Sequence, residues 1–231
     1  MPYYFDWTYL LVLAGVVLSL LASAKVKSTY KKYSKVRSMN GMTGAQAAEQ
    51  ILHANEIYDV RIEAIDGNLT DHYDPSAKTL CLSEGVYSNL SVAALGIAAH
   101  ECGHAIQHAQ GYAPLKIRTA IVPVANFGAK LSWPLILLGL VLGSSGSQML
   151  INIGILMFSF SVLFQLVTLP VEFNASARAV AALENMGILY GEEVGGTKKV
   201  LKAAALTYVA AAAASILQLL RLILLFGRRD D

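Results

Sequence analysis

Charged side chains are scarce in this sequence, and cysteines are few. Asp, Glu, Lys and Arg make up 15% of the 231 residues, hydrophobic residues make up 55%, and the formal net charge is +2. This balance excludes nucleic acid as an expected partner, because nucleic-acid binding needs a dense basic surface. An average soluble domain is more charged and less apolar, so the composition predicts membrane-spanning segments. The two cysteines, Cys81 and Cys102, do not form a disulfide framework.

The sequence contains long apolar runs, and four of them are candidate membrane spans. A helix needs roughly 20 mostly apolar residues to cross a bilayer. The Gly-Ser-Ser-Gly-Ser stretch at residues 143–147 predicts a tight turn, so that the second and third runs form a helical hairpin. The predicted spans are residues 7–24, 127–143, 149–170 and 203–226.

The charges around the first run predict its orientation. Residues 1–6 contain one acid and no basic residue, whereas basic residues are frequent from Lys25 to Arg37. A signal peptide has the reverse order, although Ala22-Ser23-Ala24 resembles a cleavage site. The sequence therefore favours an uncleaved anchor with its N-terminus outside and the following loop in the cytoplasm.

The last run, residues 203–226, is predicted to cross the membrane as well. Four crossings place both chain ends outside, yet Arg221, Arg228 and Arg229 lie near that end, where basic residues are disfavoured. The alternative is that this run packs against the other helices without crossing.

The longest polar stretch, residues 25–117, has the signals of a small mixed α and β part. Thr43 with Gln46 predicts a capping box at the start of a helix. Residues 60–65 and 78–82 predict two short strands, with a turn and a possible hairpin signal at Gly67-Asn68. Ser91 is a plausible cap for an alanine-rich helix that extends to about Gln110.

His100, Glu101 and His104 form a His-Glu-x-x-His motif on that helix. Residues four apart lie on one helix face, so both imidazoles can reach one cation. The neighbouring carboxylate of Glu101 can then act as the general base on a metal-activated water, which is the mechanical reason for this spacing in zinc peptidases. The alternative is a pair of surface histidines on an alanine-rich helix.

Catalytic zinc usually has a third protein ligand, and Glu172 is the leading candidate. It directly follows the third span, and if residues 25–117 are cytoplasmic it emerges at the same membrane face as the motif helix. A glutamate that only marks the membrane boundary is the alternative. The other candidates include His53, His72, His108 and the cysteines, and Cys102 points away from His100 on the helix.

Three strings carry a resemblance that covers most of the chain. They are LTDHYDP at residues 69–75, AAHECGHAIQH at residues 98–108 and QLVTLPVEF at residues 165–173. On these strings the chain resembles the YugP family of neutral zinc metallopeptidases of bacterial membranes. The layout is more distantly similar to the HtpX-type membrane proteases, which are gluzincins.

The resemblance implies particular roles for several residues. Glu172 matches the ligand glutamate of the HtpX-type proteases, whereas Ser176 stands where those proteins have an aspartate that orients a zinc-bound imidazole. Asn174 or Asp71 is a candidate for that orienting role. Residues 79–82 match the edge strand along which such peptidases bind an extended substrate, and the alternative is that they form an ordinary strand of the sheet.

The expected fold is therefore an α-helical membrane protein with a small α+β zincin-like metallopeptidase domain. We expect residues 1–24 to form an N-terminal anchor and residues 25–118 a cytoplasmic metallopeptidase part. We expect a transmembrane hairpin at residues 119–170 and then a cytoplasmic helix with the third ligand at residues 171–202. The last part is a C-terminal membrane helix and tail at residues 203–231.

The expected function is that of a membrane-embedded zinc endopeptidase of the bacterial cytoplasmic membrane, with its active site facing the cytoplasm. One Zn²⁺ is held by His100, His104 and Glu172, and Glu101 is the catalytic base. The expected partners are peptide or protein substrates, membrane proteins among them, and the lipid bilayer. Two alternatives are a non-catalytic membrane scaffold with a structural metal site and, less favoured, a transporter, for which few ionisable residues lie deep in the spans.

Overall fold

A computed structural model describes residues 6–142 and 147–227 of the chain, and most of these residues are helical. The helices are α1 (Tyr9–Tyr33), α2 (Gly44–Ala54), α3 (Glu84–Tyr87), α4 (Val92–Ala109), α5 (Ala113–Leu142), α6 (Ser147–Asn185) and α7 (Glu192–Phe226). The strands are β1 (Arg61–Ile65), β2 (His72–Asp74) and β3 (Thr79–Ser83).

The chain divides into two compact units. The first unit comprises Met1–Ala22, Lys116–Leu169 and Thr207–Asp231, and the second comprises Ser23–Leu115 and Pro170–Leu206. Because α1, α5, α6 and α7 are long, each of these helices contributes residues to both units.

The first unit is built from the apolar lengths of α1, α5, α6 and α7. Within the described part of the chain, these are the four helices that are long and apolar enough to cross a membrane. Many of their large apolar side chains are exposed, Leu20 and Val141 for example. Such a surface is stable in contact with lipid and unstable in water. The helices contain the runs expected at residues 149–170 and 203–226, and they contain the other two except for Trp7, Thr8 and residue 143. Residues 143–146 of the expected turn lie outside the described residues, and α6 begins at Ser147.

Small residues allow the helices of this unit to approach closely, as is common in membrane bundles. A Cβ atom on Gly15 would lie 3.1 Å from the Cα atom of Ala214, so α1 and α7 are nearly in backbone contact there. A Cβ atom on Gly128 would lie 2.6 Å from the carbonyl oxygen of Met157, which brings α5 against α6.

An ion pair joins Asp6, which precedes α1, to the last turns of α7. A guanidinium nitrogen of Arg221 lies 3.6 Å from a carboxylate oxygen of Asp6, and the guanidinium stacks over the ring of Tyr9 at 4.3 Å from its centroid. Only 14% of the Arg221 side chain is exposed. Instead of extending towards headgroups, as an arginine near the end of a span often does, Arg221 packs inside this unit.

The second unit begins with the connection from α1 to α2. The predicted capping box is confirmed: the Thr43 hydroxyl accepts from the Gln46 backbone N–H, and the Gln46 side chain accepts from the Thr43 N–H. These bonds satisfy donors that a helix N-terminus leaves free. Beyond the cap, α2 buries a face of Ala47, Ala48, Ile51 and Leu52 against the core.

The sheet of this unit differs from the expectation in two respects. Its order is β1-β3-β2, with β1 parallel and β2 antiparallel to β3. Residues 79–82 therefore lie in the central strand, and the expectation that they form an edge is wrong. The strand β2 was not predicted and is an edge of the sheet. The Asp74 side chain accepts hydrogen bonds from Ser76 and Ala77 in the turn that returns the chain to β3.

Helix α4 lies at the centre of the second unit. Its predicted cap is confirmed, because the Ser91 hydroxyl accepts from the Ala94 N–H. The alanine and glycine residues of this helix let neighbouring elements approach it on several sides, and most of its residues are buried. A buried contact from α7, in which the Thr197 hydroxyl donates to the carbonyl oxygen of Val92, fixes its first turn.

Candidate metal centre

Helix α4 carries His100, Glu101 and His104 in the order that the motif requires. The two imidazole rings lie side by side, with 4.8 Å between their centroids and an angle of 82° between their planes. Their side chains are mostly buried but not sealed, with 14% and 13% of their surfaces exposed. The space between the rings is therefore accessible from outside.

Helix α6 brings the carboxylate of Glu172 to the same point. Its Oε2 atom lies 3.3 Å from Nε2 of His100 and 3.6 Å from Nε2 of His104. Glu172 is almost completely buried, at 2% exposure. Burial of a carboxylate is costly unless a positive partner is close, and the cluster of ligand atoms provides the place for one.

The glycine between the two histidines explains how α6 comes so close. A Cβ atom on Gly103 would lie 2.5 Å from the carbonyl oxygen of Ala175, a distance that real contacts do not show. Only a residue without a side chain fits at this crossing. Because Ala175 lies one turn beyond Glu172, this close approach holds the α6 carboxylate against the imidazoles.

The donor set fits a zinc ion by its chemistry and its spacing. Nitrogen and oxygen ligands at about 2.1 Å in a tetrahedral arrangement are separated from one another by about 3.4 Å. The two distances from Glu172 to the imidazole nitrogens, 3.3 and 3.6 Å, bracket that value. One ligand atom from each of the three residues lies within 4.8 Å of the others. Three protein ligands leave a fourth position open, as catalytic zinc sites do.

The acidic residues around His104 affect the pKa of its imidazole. Burial by itself would lower the pKa of this imidazole. The hydrogen bond to Glu172 and the charges of Glu101 and Glu172 outweigh burial and raise the pKa of His104 above its ordinary value. The carboxylate of Glu101 is therefore within electrostatic reach of the ligands.

Comparison with known proteins agrees with this geometry. Residues 8–227 match the family described as "Putative neutral zinc metallopeptidase". The chain belongs to this family. It is 49% identical over 222 residues to "Putative membrane protease YugP" of Bacillus subtilis (strain 168). The aligned region covers 96% of this chain and 97% of that protein. No solved structure matches the chain.

In this metallopeptidase-family chain, the second nitrogen of each imidazole also has a partner. Nδ1 of His100 lies 3.1 Å from the Ser176 hydroxyl, and Nδ1 of His104 lies 3.1 Å from Oε1 of Gln107. Ser176 thus contacts the imidazole although it replaces the aspartate of the HtpX-type pattern. Gln107 was not singled out from the sequence; its position three residues after His104 is the signal that could have identified it.

The other sequence candidates lie in different environments. Asp71 accepts hydrogen bonds from the backbone and hydroxyl of Ser83, so it supports the sheet and is not at the imidazoles. The Cys102 thiol is fully buried against the carbonyl oxygen of Ala48, and burial raises its pKa.

The three remaining histidines also have partners away from the cluster. His53 stacks with Tyr58, with 5.3 Å between ring centroids, and His72 contacts the carbonyl oxygen of Thr70. Nδ1 of His108 lies 2.9 Å from the Tyr73 hydroxyl, which links α4 to β2.

Proposed function

We propose that this protein is a zinc-dependent endopeptidase of a membrane, with a gluzincin-type site of His100, His104 and Glu172. The observation that carries the proposal is the meeting of these three side chains next to Glu101 in a member of a zinc metallopeptidase family. A purely structural zinc site more often has four protein ligands, and it has no need of a neighbouring carboxylate.

Different residues of the chain have different roles in the proposed reaction. His100, His104 and Glu172 would hold the metal, which when bound activates a water molecule and polarises the scissile carbonyl. Glu101, which is 8% exposed, accepts the proton of the attacking water and delivers it to the leaving amine. The burial of Glu101 limits competing contacts between its carboxylate and solvent.

The free side of β2 is the surface that we assign to an extended substrate. This strand pairs with β3 on one side, and within the described ranges no strand pairs with its other side. Unpaired backbone groups at a sheet edge bind a peptide by strand addition with little demand on its sequence. Tyr73 of β2 is tied to His108, which lies one turn beyond His104 on α4. We therefore expect peptide or unfolded protein segments as substrates, including those of membrane proteins.

Removal of the metal should abolish hydrolysis. Purified protein treated with a chelator should lose nearly all activity on a generic unfolded protein substrate, because the water and carbonyl are then no longer activated. Addition of about one equivalent of zinc per chain should restore it. Metal analysis and a cleavage assay on the same samples measure both quantities. A zinc-loaded protein that cleaves nothing would favour the scaffold alternative, and unchanged activity after chelation would rule out the metal mechanism.

We assign the catalytic part, the segments 25–118 and 171–202, to the cytoplasm. The basic residues that follow the first span support this orientation. It can be tested with single cysteines at Ser34 and Asp231 in a background without Cys81 and Cys102; Asp231 lies outside the described residues. On intact cells, a membrane-impermeant thiol reagent should label the cysteine at 231 and leave the one at 34 unlabelled.

Each position tests a different part of the orientation. Labelling at position 34 would contradict a cytoplasmic active site. Protection at position 231 would contradict only the crossing of the last helix. Labelling of both positions after the membrane is permeabilised is the control for their accessibility.

A further inference from the structure

The two zinc-site histidines are held by groups with different hydrogen-bonding abilities. The Ser176 hydroxyl next to Nδ1 of His100 can donate or accept, so it is compatible with either tautomer of that imidazole. The amide oxygen of Gln107 next to Nδ1 of His104 can only accept. His104 must therefore carry a proton on Nδ1, which leaves the lone pair on Nε2, the atom that faces Glu172.

The orientation of the Gln107 amide is itself imposed from α6. Its Nε2 atom donates to the carbonyl oxygen of Val171 at 2.8 Å and to Oδ1 of Asn174 at 2.9 Å. A backbone carbonyl cannot donate, so a flipped amide would set two oxygen atoms against each other. Gln107 is fully buried, and in the absence of solvent such a mismatch is costly. The amide nitrogen must face α6 and the amide oxygen must face His104.

Asn174 is oriented in turn by an arginine. Nε of Arg178 donates to Oδ1 of Asn174 at 2.7 Å, and an arginine has donors only and stays charged. Arg178 is held by the segment that follows α4, where it donates to Oε1 of Gln110 at 2.7 Å and lies over the ring of Tyr112. From Arg178 through Asn174 to Gln107, each donor and acceptor role follows from the previous one.

We propose that Gln107 is a positioning residue, oriented by Asn174 and Arg178, that fixes His104 in the tautomer whose Nε2 binds the metal. The inference rests on the proposed zinc site and deepens it. It explains why a neutral amide can occupy a position where a carboxylate commonly holds a zinc-bound imidazole. A carboxylate at residue 107 has no N–H group to donate. One of its oxygen atoms would face the Val171 carbonyl oxygen and Asn174 Oδ1, so three acceptors would meet without a donor.

Asn174 offers the sharpest test, because both of its hydrogen bonds in this network are accepted by Oδ1. Asn174→Asp keeps an acceptor for Gln107 and Arg178, whereas Asn174→Leu has a similar size and none. We expect Asn174→Leu to weaken zinc binding about 10- to 100-fold, the usual effect of losing a group behind a metal ligand. Asn174→Asp should bind zinc within about threefold of the unaltered protein or more tightly, since the bonding pattern is kept.

Zinc affinity is measured on the purified full-length protein by competition with a chromophoric chelator. The absorption spectrum of the cobalt-substituted protein reports the coordination geometry independently of activity. Thr197→Val is the matched control, because it removes a buried hydrogen bond to the first turn of α4 and touches neither histidine. It should lower the melting temperature without changing zinc affinity or the cobalt spectrum.

Gln107→Glu adds a second, opposite test. A carboxylate is the stronger acceptor for an imidazole N–H, so a simple contact between residue 107 and His104 predicts tighter zinc binding. The network predicts weaker binding, because the two donors of the amide are lost. Tighter binding by Gln107→Glu, or equal weakening by Asn174→Asp and Asn174→Leu, would overturn the inference while the zinc site stands. Failure of the unaltered protein to bind zinc would overturn the proposed function and the inference with it.

Discussion

Glu101→Gln should lower peptide hydrolysis at least about a hundredfold while zinc remains bound, the usual scale for loss of a general base. Glutamine keeps the size and polarity of the side chain but cannot take a proton from water at neutral pH. The three proposed ligands, His100, His104 and Glu172, are unchanged in this variant. Steady-state cleavage of an unfolded protein substrate, with metal analysis of the same preparation, measures both parts of the expectation.

Glu63→Gln is the matched control for the base. Glu63 lies on β1 with half of its side chain exposed and contacts Arg61 at the surface, so its charge has no role in the metal site. This variant should retain both zinc and activity. Near-normal hydrolysis by Glu101→Gln would refute Glu101 as the base, and loss of zinc from that variant would show that the residue supports the metal instead.

Glu172→Ala should remove most of the zinc from the purified protein. The carboxylate is buried and lies 3.3 and 3.6 Å from the two imidazole nitrogens, so its loss leaves two ligands in a cavity. Two imidazoles are too few for a stable catalytic zinc site. Inductively coupled plasma analysis after dialysis gives the zinc content per chain, and hydrolysis should fall in parallel with it.

Glu184→Ala separates the ligand from the helix that carries it. Glu184 is also on α6, but its side chain is more than half exposed and pairs with Lys198 at the surface at 3.7 Å. Such exposed pairs contribute little to stability, so this variant should keep its zinc. Full zinc occupancy in Glu172→Ala would remove Glu172 from the ligand set, and loss of zinc from both variants would indicate damage to α6.

The features that were predicted well depend on short stretches of sequence. The capping box of α2 requires only Thr43 and Gln46, and the motif on α4 requires only the four-residue period of a helix. Both are local, so no knowledge of distant residues is needed. The expectation that Glu172 is the third ligand, which stays a prediction, also used the order of the spans, and apolar composition makes that order visible.

The sheet could not be obtained in the same way. A strand of three residues, such as β2, is too short to show an alternating pattern. The pairing of β1 with β3 is parallel and spans the intervening β2, so it depends on contacts between distant residues. Local patterns identified β1 and β3 but carried no information about their order, and the edge was assigned to the wrong strand.

The contact between Gln107 and His104 was missed for a related reason. The spacing of three residues indicates that Gln107 can reach the imidazole of His104, but it does not indicate which amide atom faces the ring. Its orientation is decided by the Val171 carbonyl and by Asn174, more than 60 residues further along the chain. Hydrogen-bond direction is a property of the folded arrangement, and the sequence gives no sign of it before α4 and α6 are brought together.

The contact between Asp6 and Arg221 bears on how the chain is inserted during synthesis. Asp6 precedes the first helix and Arg221 lies near the end of the last, so the pair can close only after every span has been made. Where the four apolar helices cross a bilayer, the pairing of Arg221 with Asp6 requires the start of α1 and the end of α7 to lie on the same side of it, and an even number of crossings provides that arrangement.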